Sequence, residues 1–205
     1  MFFEFGTFDE EIKGKDDAMR TPASLYVDEF VRRMDDKLEA NDLLKIKELL
    51  QKLNSIDLNL HHDNYLIHPI RVTDSYLSNS QECKYADVEF GLCHNIIENS
   101  PSSVEDLNLS KTSLEKINLL TIDRNQERDF EYLDLYYSAI SEYSDNLVIF
   151  KTLDKIDNAL WWPSMTVDEY YYTVIEKFIF PRLGSISLHH HQYFKGLLDY
   201  IRNRN

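Results

Sequence analysis

The sequence predicts an all-α protein, a bundle of about eight or nine helices in one domain spanning residues 1–205. Three observations carry this. Apolar residues recur at helical spacing along most of the chain. Glycine and proline number five each, too few for a sandwich or barrel with many tight turns. No set of segments reads as a strand ladder.

In chain order, Val27, Val31, Met34 and Leu38 mark a helix over about 24–39, with Ser24 as its N-cap just after Pro22. Asn41 or Asp42 caps the next, whose apolar stripe is Leu43, Ile46, Leu50 and Leu53. Residues 56–64, rich in Asn, Asp and His, form a connector. A third helix covers about 65–78 and a fourth about 83–99, the latter carrying Val88, Leu92, Ile96 and Ile97. Ser102 and Glu105 have capping-box spacing, so a short helix starts there. LEKINLL is helical and ends near Thr121, and IDRNQERD after it is a polar loop. FEYLDLYYSAISEY and LVIFKTLDKIDNALWW both carry helical periodicity. Thr166 and Glu169 form another capping box, opening a long helix toward Phe180 that Pro181 and Gly184 stop. A last helix covers about 190–202.

Composition excludes several classes of function. A chain of 205 residues buries a core without staples. Cys83 and Cys93 form no disulfide framework, CxxC or zinc-ribbon pattern, which fits reduced thiols in a cytoplasmic protein. The opening MFFEFGTFDEE lacks a basic n-region and is interrupted by Glu4 and Asp9, so no signal peptide is expected. No stretch approaches the roughly 20 apolar residues that cross a bilayer, and no membrane partner is expected. With 36 acidic and 22 basic residues the formal charge is −14, which repels nucleic acid and anionic lipid at long range. An anionic substrate would need local cations, from a metal or from a few placed Lys and Arg. GxSxG, P-loop and GxGxxG motifs are absent, and no Ser or Cys nucleophile has a supporting motif.

Three separated segments hold the polar residues of interest: Tyr65-Leu-Ile-His68-Pro-Ile-Arg71-Val, Leu92-Cys-His94-Asn95-Ile-Ile-Glu98-Asn99, and Val148-Ile-Phe-Lys151-Thr-Leu-Asp154-Lys-Ile-Asp157-Asn158. Each sits in an apolar helical run, an expensive place for His or Asp unless a partner or a metal satisfies it. Two imidazoles with carboxylate oxygens suit Mn²⁺, Fe²⁺ or Zn²⁺. An ion held this way lowers the pKa of water and neutralises phosphate charge. Asp154 and Asn158 are one helical turn apart and face the same way, and Glu98 lies one turn after His94.

The segment HPIRV, the later HNIIE in the place of H-D-I-I-E, and the K-x-x-D-x-x-x-N helix resemble the HD superfamily of metal-dependent phosphohydrolases. The likeness is to the guanosine tetraphosphate hydrolase domain of the RelA/SpoT type in its small stand-alone form. It is strongest over about 60–185, with residues 1–59 as N-terminal helices packing on that part. The resemblance implies an all-helical bundle holding one divalent ion, Mn²⁺ first, and removal of pyrophosphate from the ribose 3′ position. It implies His68, His94, Asn95 and Asp154 as metal ligands, and Glu98 and Asn99 in the places of the acid pair that positions the attacking water. It further implies Asn158 and Arg124 as contacts to a small-molecule nucleotide. The basic segment usual before the first histidine is replaced by His61, His62 and Asp63.

Asn95 and Asn99 depart from the family pattern. An amide oxygen can coordinate but brings no negative charge, so the metal is expected to be weakened or lost and the site impaired or repurposed. The expected function is therefore a metal-dependent hydrolase of guanosine 3′,5′-bis(diphosphate) or a related nucleotide. The alternative is a degenerate HD domain that binds a nucleotide or a protein partner. Other polar residues read as structural. Lys151 is expected to snorkel from its helix, His189, His190 and His191 to point in different directions, and Trp161, Trp162 and Tyr170–Tyr172 to serve packing.

Overall fold

The computed structural model describes residues 6–56, 66–78, 82–100, 104–164 and 167–204, and among them every regular element is helical. The all-α expectation is met, with the helical content cut into more segments than expected: thirteen α-helical segments, a 3-10 turn at Trp162–Ser164 and a π turn at Ile175–Ile179. Tyr65, Ser102 and Thr166, and with them the two capping boxes and the residues His61, His62 and Asp63, lie outside the described residues.

The first helix, α1 (Phe8–Arg20), is not among the expected ones; its apolar stripe of Phe8, Ile12 and Met19 is interrupted by Lys15. Its start is nevertheless written in Thr7 and Glu10. The Glu10 carboxylate accepts from the Thr7 amide at 2.9 Å and the Thr7 hydroxyl at 2.8 Å, a capping box. These bonds hold the Glu10 carboxyl below the usual carboxylate range.

The chain folds as two compact units. The first, Ala18–Thr121, contains α2 (Ala23–Asp35), α3 (Ala40–Ser55), α4 (Ile67–Ser78), α5 (Tyr85–Cys93), α6 (Ile96–Asn99), α7 (Val104–Leu107) and α8 (Lys111–Leu120). Phe30, Met34, Ile46, Leu53, Ile70 and Phe90 are fully buried at its centre. The stripe Leu43, Ile46, Leu50 and Leu53 is buried as its spacing requires. The caps differ from expectation. Pro22 and Glu39 occupy the N-cap positions of α2 and α3 without a side-chain bond, so Ser24, Asn41 and Asp42 lie inside the helices. The expected helix over about 83–99 breaks at His94 and Asn95, where Asn95 takes φ −113° and ψ 13° and starts the single turn α6.

Where α4 meets α5, the two backbones come unusually close. A Cβ on Gly91 would stand 2.4 Å from Oγ1 of Thr73, so only glycine fits at this crossing. Pro69 is tolerated because it sits in the first turn of α4, where the missing N–H has no helical acceptor.

The second unit runs over Ile122–Asn205 and takes in the N-terminal residues as far as Asp17. It contains α9 (Phe130–Tyr143), α10 (Asp145–Ala159), α11 (Glu169–Val174), the π turn, α12 (Phe180–Ile186) and α13 (Leu188–Arg202). Asp129, Ser144, Asp168 and Ser187 cap their helices by accepting backbone N–H groups. Pro181 and Gly184 do not stop the chain: the helix continues to Ile186. The wider π turn just before Pro181 absorbs the missing N–H and the bulk of the ring, so the helix passes the proline without ending. The α1 segment is fastened here by a buried ion pair between Lys15 and Asp157, and Phe8 packs edge-on to Tyr193 at 5.4 Å.

Candidate functional site

Each of the three sequence segments places its polar residue by a local device. His68 is the second residue of α4 and is half-buried. His94 is the C-cap of α5 and is 3% exposed. The close crossing of α4 and α5 sets the two imidazoles 5.2 Å apart, centroid to centroid, with their planes at 62°. Nδ1 of His94 lies 2.8 Å from the Gly91 carbonyl oxygen. A carbonyl only accepts, so Nδ1 carries the proton and Nε2 the lone pair, the tautomer that ligates a metal.

Asp154 sits in the middle of α10 and is 5% exposed. Its carboxylate is held from both ends of the same helix. Asn158 donates its amide to Oδ1 at 3.0 Å. Lys151 places its ammonium 3.1 Å from Oδ2, and the Lys155 ammonium stands 3.7 Å from the same oxygen.

His68, His94 and Asp154 each offer one ligand atom, and these atoms all lie within 4.8 Å of one another. Donors of these types, drawn in to about 2.0–2.2 Å, suit Mn²⁺, Fe²⁺ or Zn²⁺. A His68, His94, Asp154 cluster of this kind can hold a metal ion, and it is the one such His/Cys/Asp/Glu group found among the described residues.

The remaining expected site residues are placed as follows. Asn95 is half-buried at the helix break beside His94. Glu98 and Asn99 are half-buried on α6, directly after it. Asn99 turns its amide back on its own helix and donates to the Asn95 carbonyl at 2.8 Å. Asn158 is drawn to Asp154 as its spacing predicted. Arg124 lies in the polar turn before α9, its guanidinium exposed and paired with Glu127 at 3.1 Å.

Lys151 departs from its expected place. It does not snorkel to water: it is 7% exposed, with its ammonium beside Asp154 and 5.8 Å from the centroid of the Tyr136 ring. The K-x-x-D spacing that puts both side chains on one face of a helix was visible in the sequence, but the burial of that face was not. Cys93, next to His94, is a core thiol: burial pushes its pKa well above the ordinary value, so it remains protonated and inert. The histidine run behaves as expected. His189 is exposed, His191 half-buried, and His190 is buried with Nδ1 2.7 Å from the Ser187 hydroxyl that caps α13. Tyr172 is buried against Trp162, rings 5.0 Å apart, a packing role. No family model matches this chain, and no curated protein or solved structure matches it significantly.

Proposed function

We propose that the chain is a metal-dependent phosphohydrolase of the HD type, with guanosine 3′,5′-bis(diphosphate) or a related nucleotide as substrate. The observation that carries this reading is the meeting of His68, His94 and Asp154, three residues picked out from distant segments by their resemblance to that family. The donor set fits the ion: two neutral imidazoles and one carboxylate make a site for Mn²⁺, Fe²⁺ or Zn²⁺, with Asn95 as a fourth, uncharged donor. A divalent ion there supplies Lewis acidity toward a phosphate oxygen and lowers the pKa of water.

The chain's own side chains then have distinct tasks. His94 is oriented by the Gly91 carbonyl, and Asp154 by Asn158, so neither ligand has to find its rotamer on binding. Glu98, on the turn after His94, takes the proton from the attacking water. The water oxygen bonds to phosphorus as the bond to the ribose 3′ oxygen breaks, and that oxygen leaves with the proton that Glu98 took from the water. Arg124 and Asn158 hold phosphate and sugar. The test is pyrophosphate release from guanosine 3′,5′-bis(diphosphate) with added Mn²⁺. Turnover above a His94→Ala control is expected, and its absence rejects the catalytic reading.

A second reading, a metal-poor HD-like domain that binds a nucleotide or a protein partner without hydrolysis, is favoured by Asn99. Its amide is spent on the Asn95 carbonyl, in the place where the family carries an acid. Asn95→Asp separates the two. A gain of Mn²⁺ affinity together with turnover places the defect at that one charge, whereas a gain of affinity without turnover favours the binding module.

A further inference from the structure

Lys151 changes what this site can accept. Its ammonium sits 3.1 Å from Oδ2 of Asp154, and the residue is almost wholly excluded from water. The aromatic ring of Tyr136 flanks the charge at 5.8 Å, and the Lys155 ammonium, on a half-exposed side chain, stands 3.7 Å from the same oxygen. The only carboxylate of the triad therefore has a dehydrated counter-ion on its own helix.

The imidazoles of His68 and His94 coordinate as neutral groups. Asp154 contributes −1 and the buried Lys151 contributes +1, so these four side chains sum to zero, while the charge of the half-exposed Lys155 is screened by water. A divalent ion alone would leave the group at +2, with ion and ammonium competing for one carboxylate. Like charges repel strongly at such range when water is excluded. A phosphate dianion arriving with the ion returns the sum to zero. An aspartate in place of Asn95 would have supplied part of that charge from the protein; as the chain stands, the ligand must bring it.

On the metal reading given above, we infer that Lys151 makes the site selective for a divalent ion and phosphate together over the free ion. Its ammonium is the counter-ion of Asp154 in the metal-free protein and turns to the phosphate oxygens when both ligands enter. Lys151 is thus a phosphate-holding residue whose default partner is a metal ligand. The amide of Asn158 keeps Oδ1 oriented in either state, so releasing Lys151 does not free the carboxylate to rotate.

The experiment titrates Mn²⁺ into the 205-residue chain and into Lys151→Met, each with and without inorganic phosphate, following the signal of the free ion by electron paramagnetic resonance. Phosphate is expected to tighten Mn²⁺ binding by the unsubstituted protein ~10-fold or more, the scale on which partners of metal ligands act. Lys151→Met is expected to bind free Mn²⁺ ~10-fold more tightly than the unsubstituted protein and to gain little from phosphate. Lys151→Gln, which keeps a polar contact with Asp154, replaces the Met variant if that one does not fold. Free Mn²⁺ bound equally well by the two proteins, or a phosphate effect of equal size in both, overturns the role of Lys151 and leaves the metal reading standing. Failure of both proteins to bind Mn²⁺, with or without phosphate, overturns the metal reading and this inference together.

Discussion

Asn158 donates its side-chain amide to Oδ1 of Asp154 across 3.0 Å, one helical turn further along α10. The bond fixes which way the carboxylate faces, and it does so with a half-buried residue that contributes little to the core. Partners of this kind are worth ~10–100-fold in metal affinity. Asn158→Ala should therefore lower Mn²⁺ affinity by that factor, measured with phosphate present, while the melting temperature stays within a few degrees. An unchanged affinity would show that the amide does not orient the ligand.

The crossing at Gly91 and Thr73 should be intolerant of a single methyl group. The added Cβ of Gly91→Ala would meet Oγ1 of Thr73 at 2.4 Å and Cγ2 at 3.0 Å, both in a buried crossing. Overpacking of this sort costs ~1–3 kcal/mol. Thr73→Ala in the same chain removes both atoms and should restore part of the loss. Denaturant unfolding of the single and double variants measures this, and simple additivity of the two changes would contradict the steric account.

Lys15 and Asp157 form an ion pair in which both residues are about 5% exposed or less. Lys15→Met should destabilise the protein by ~3–5 kcal/mol, because it removes an ammonium paired with a buried carboxylate. Lys15→Met combined with Asp157→Leu should recover most of that loss. Equal losses for the single and the double variant would mean that α1 is held by other contacts.

His190 makes stability depend on pH. Burial, with His189 nearby as a second cause, holds its pKa below the ordinary value. In the interval between the folded value and the unfolded value near 6.5, the unfolded chain binds a proton that the folded chain refuses. Its contribution is thus intact above about 6.5 and is lost as the pH falls through that interval. The drop in melting temperature between neutral pH and about pH 5.5 should be smaller in His190→Gln than in the unsubstituted protein. A larger drop in the variant would reverse the sign of this assignment.

How much of the protein could be read in advance depended on whether the cause was local. Leu43, Ile46, Leu50 and Leu53 are buried because their spacing makes one stripe on a helix, and spacing is a property of the sequence alone. Thr7 and Glu10 are equally legible as a cap, but the apolar face of α1 is interrupted by Lys15, whose pairing with Asp157 exists only in the fold. The helix across His94 and Asn95 reads as continuous, since nothing in LCHNIIEN forbids it locally. Proline 181 is the converse case. Its ordinary effect is to end a helix, and here a π turn directly before it carries the helix past the ring.

The sequence by itself determined the helical class, most of the apolar faces, and the choice of His68, His94 and Asp154 as a set. It could do so because periodicity, capping and motif order are one-dimensional properties. Only the tertiary structure decided that ligand atoms from those residues lie within 4.8 Å of one another. It alone decided that Lys151 spends its charge on Asp154 instead of on water, and that Lys15 reaches Asp157 across 142 residues of chain. Distance and burial between separated residues are set by how helices pack, and the free energy of a charge depends on that packing more than on its neighbours in sequence.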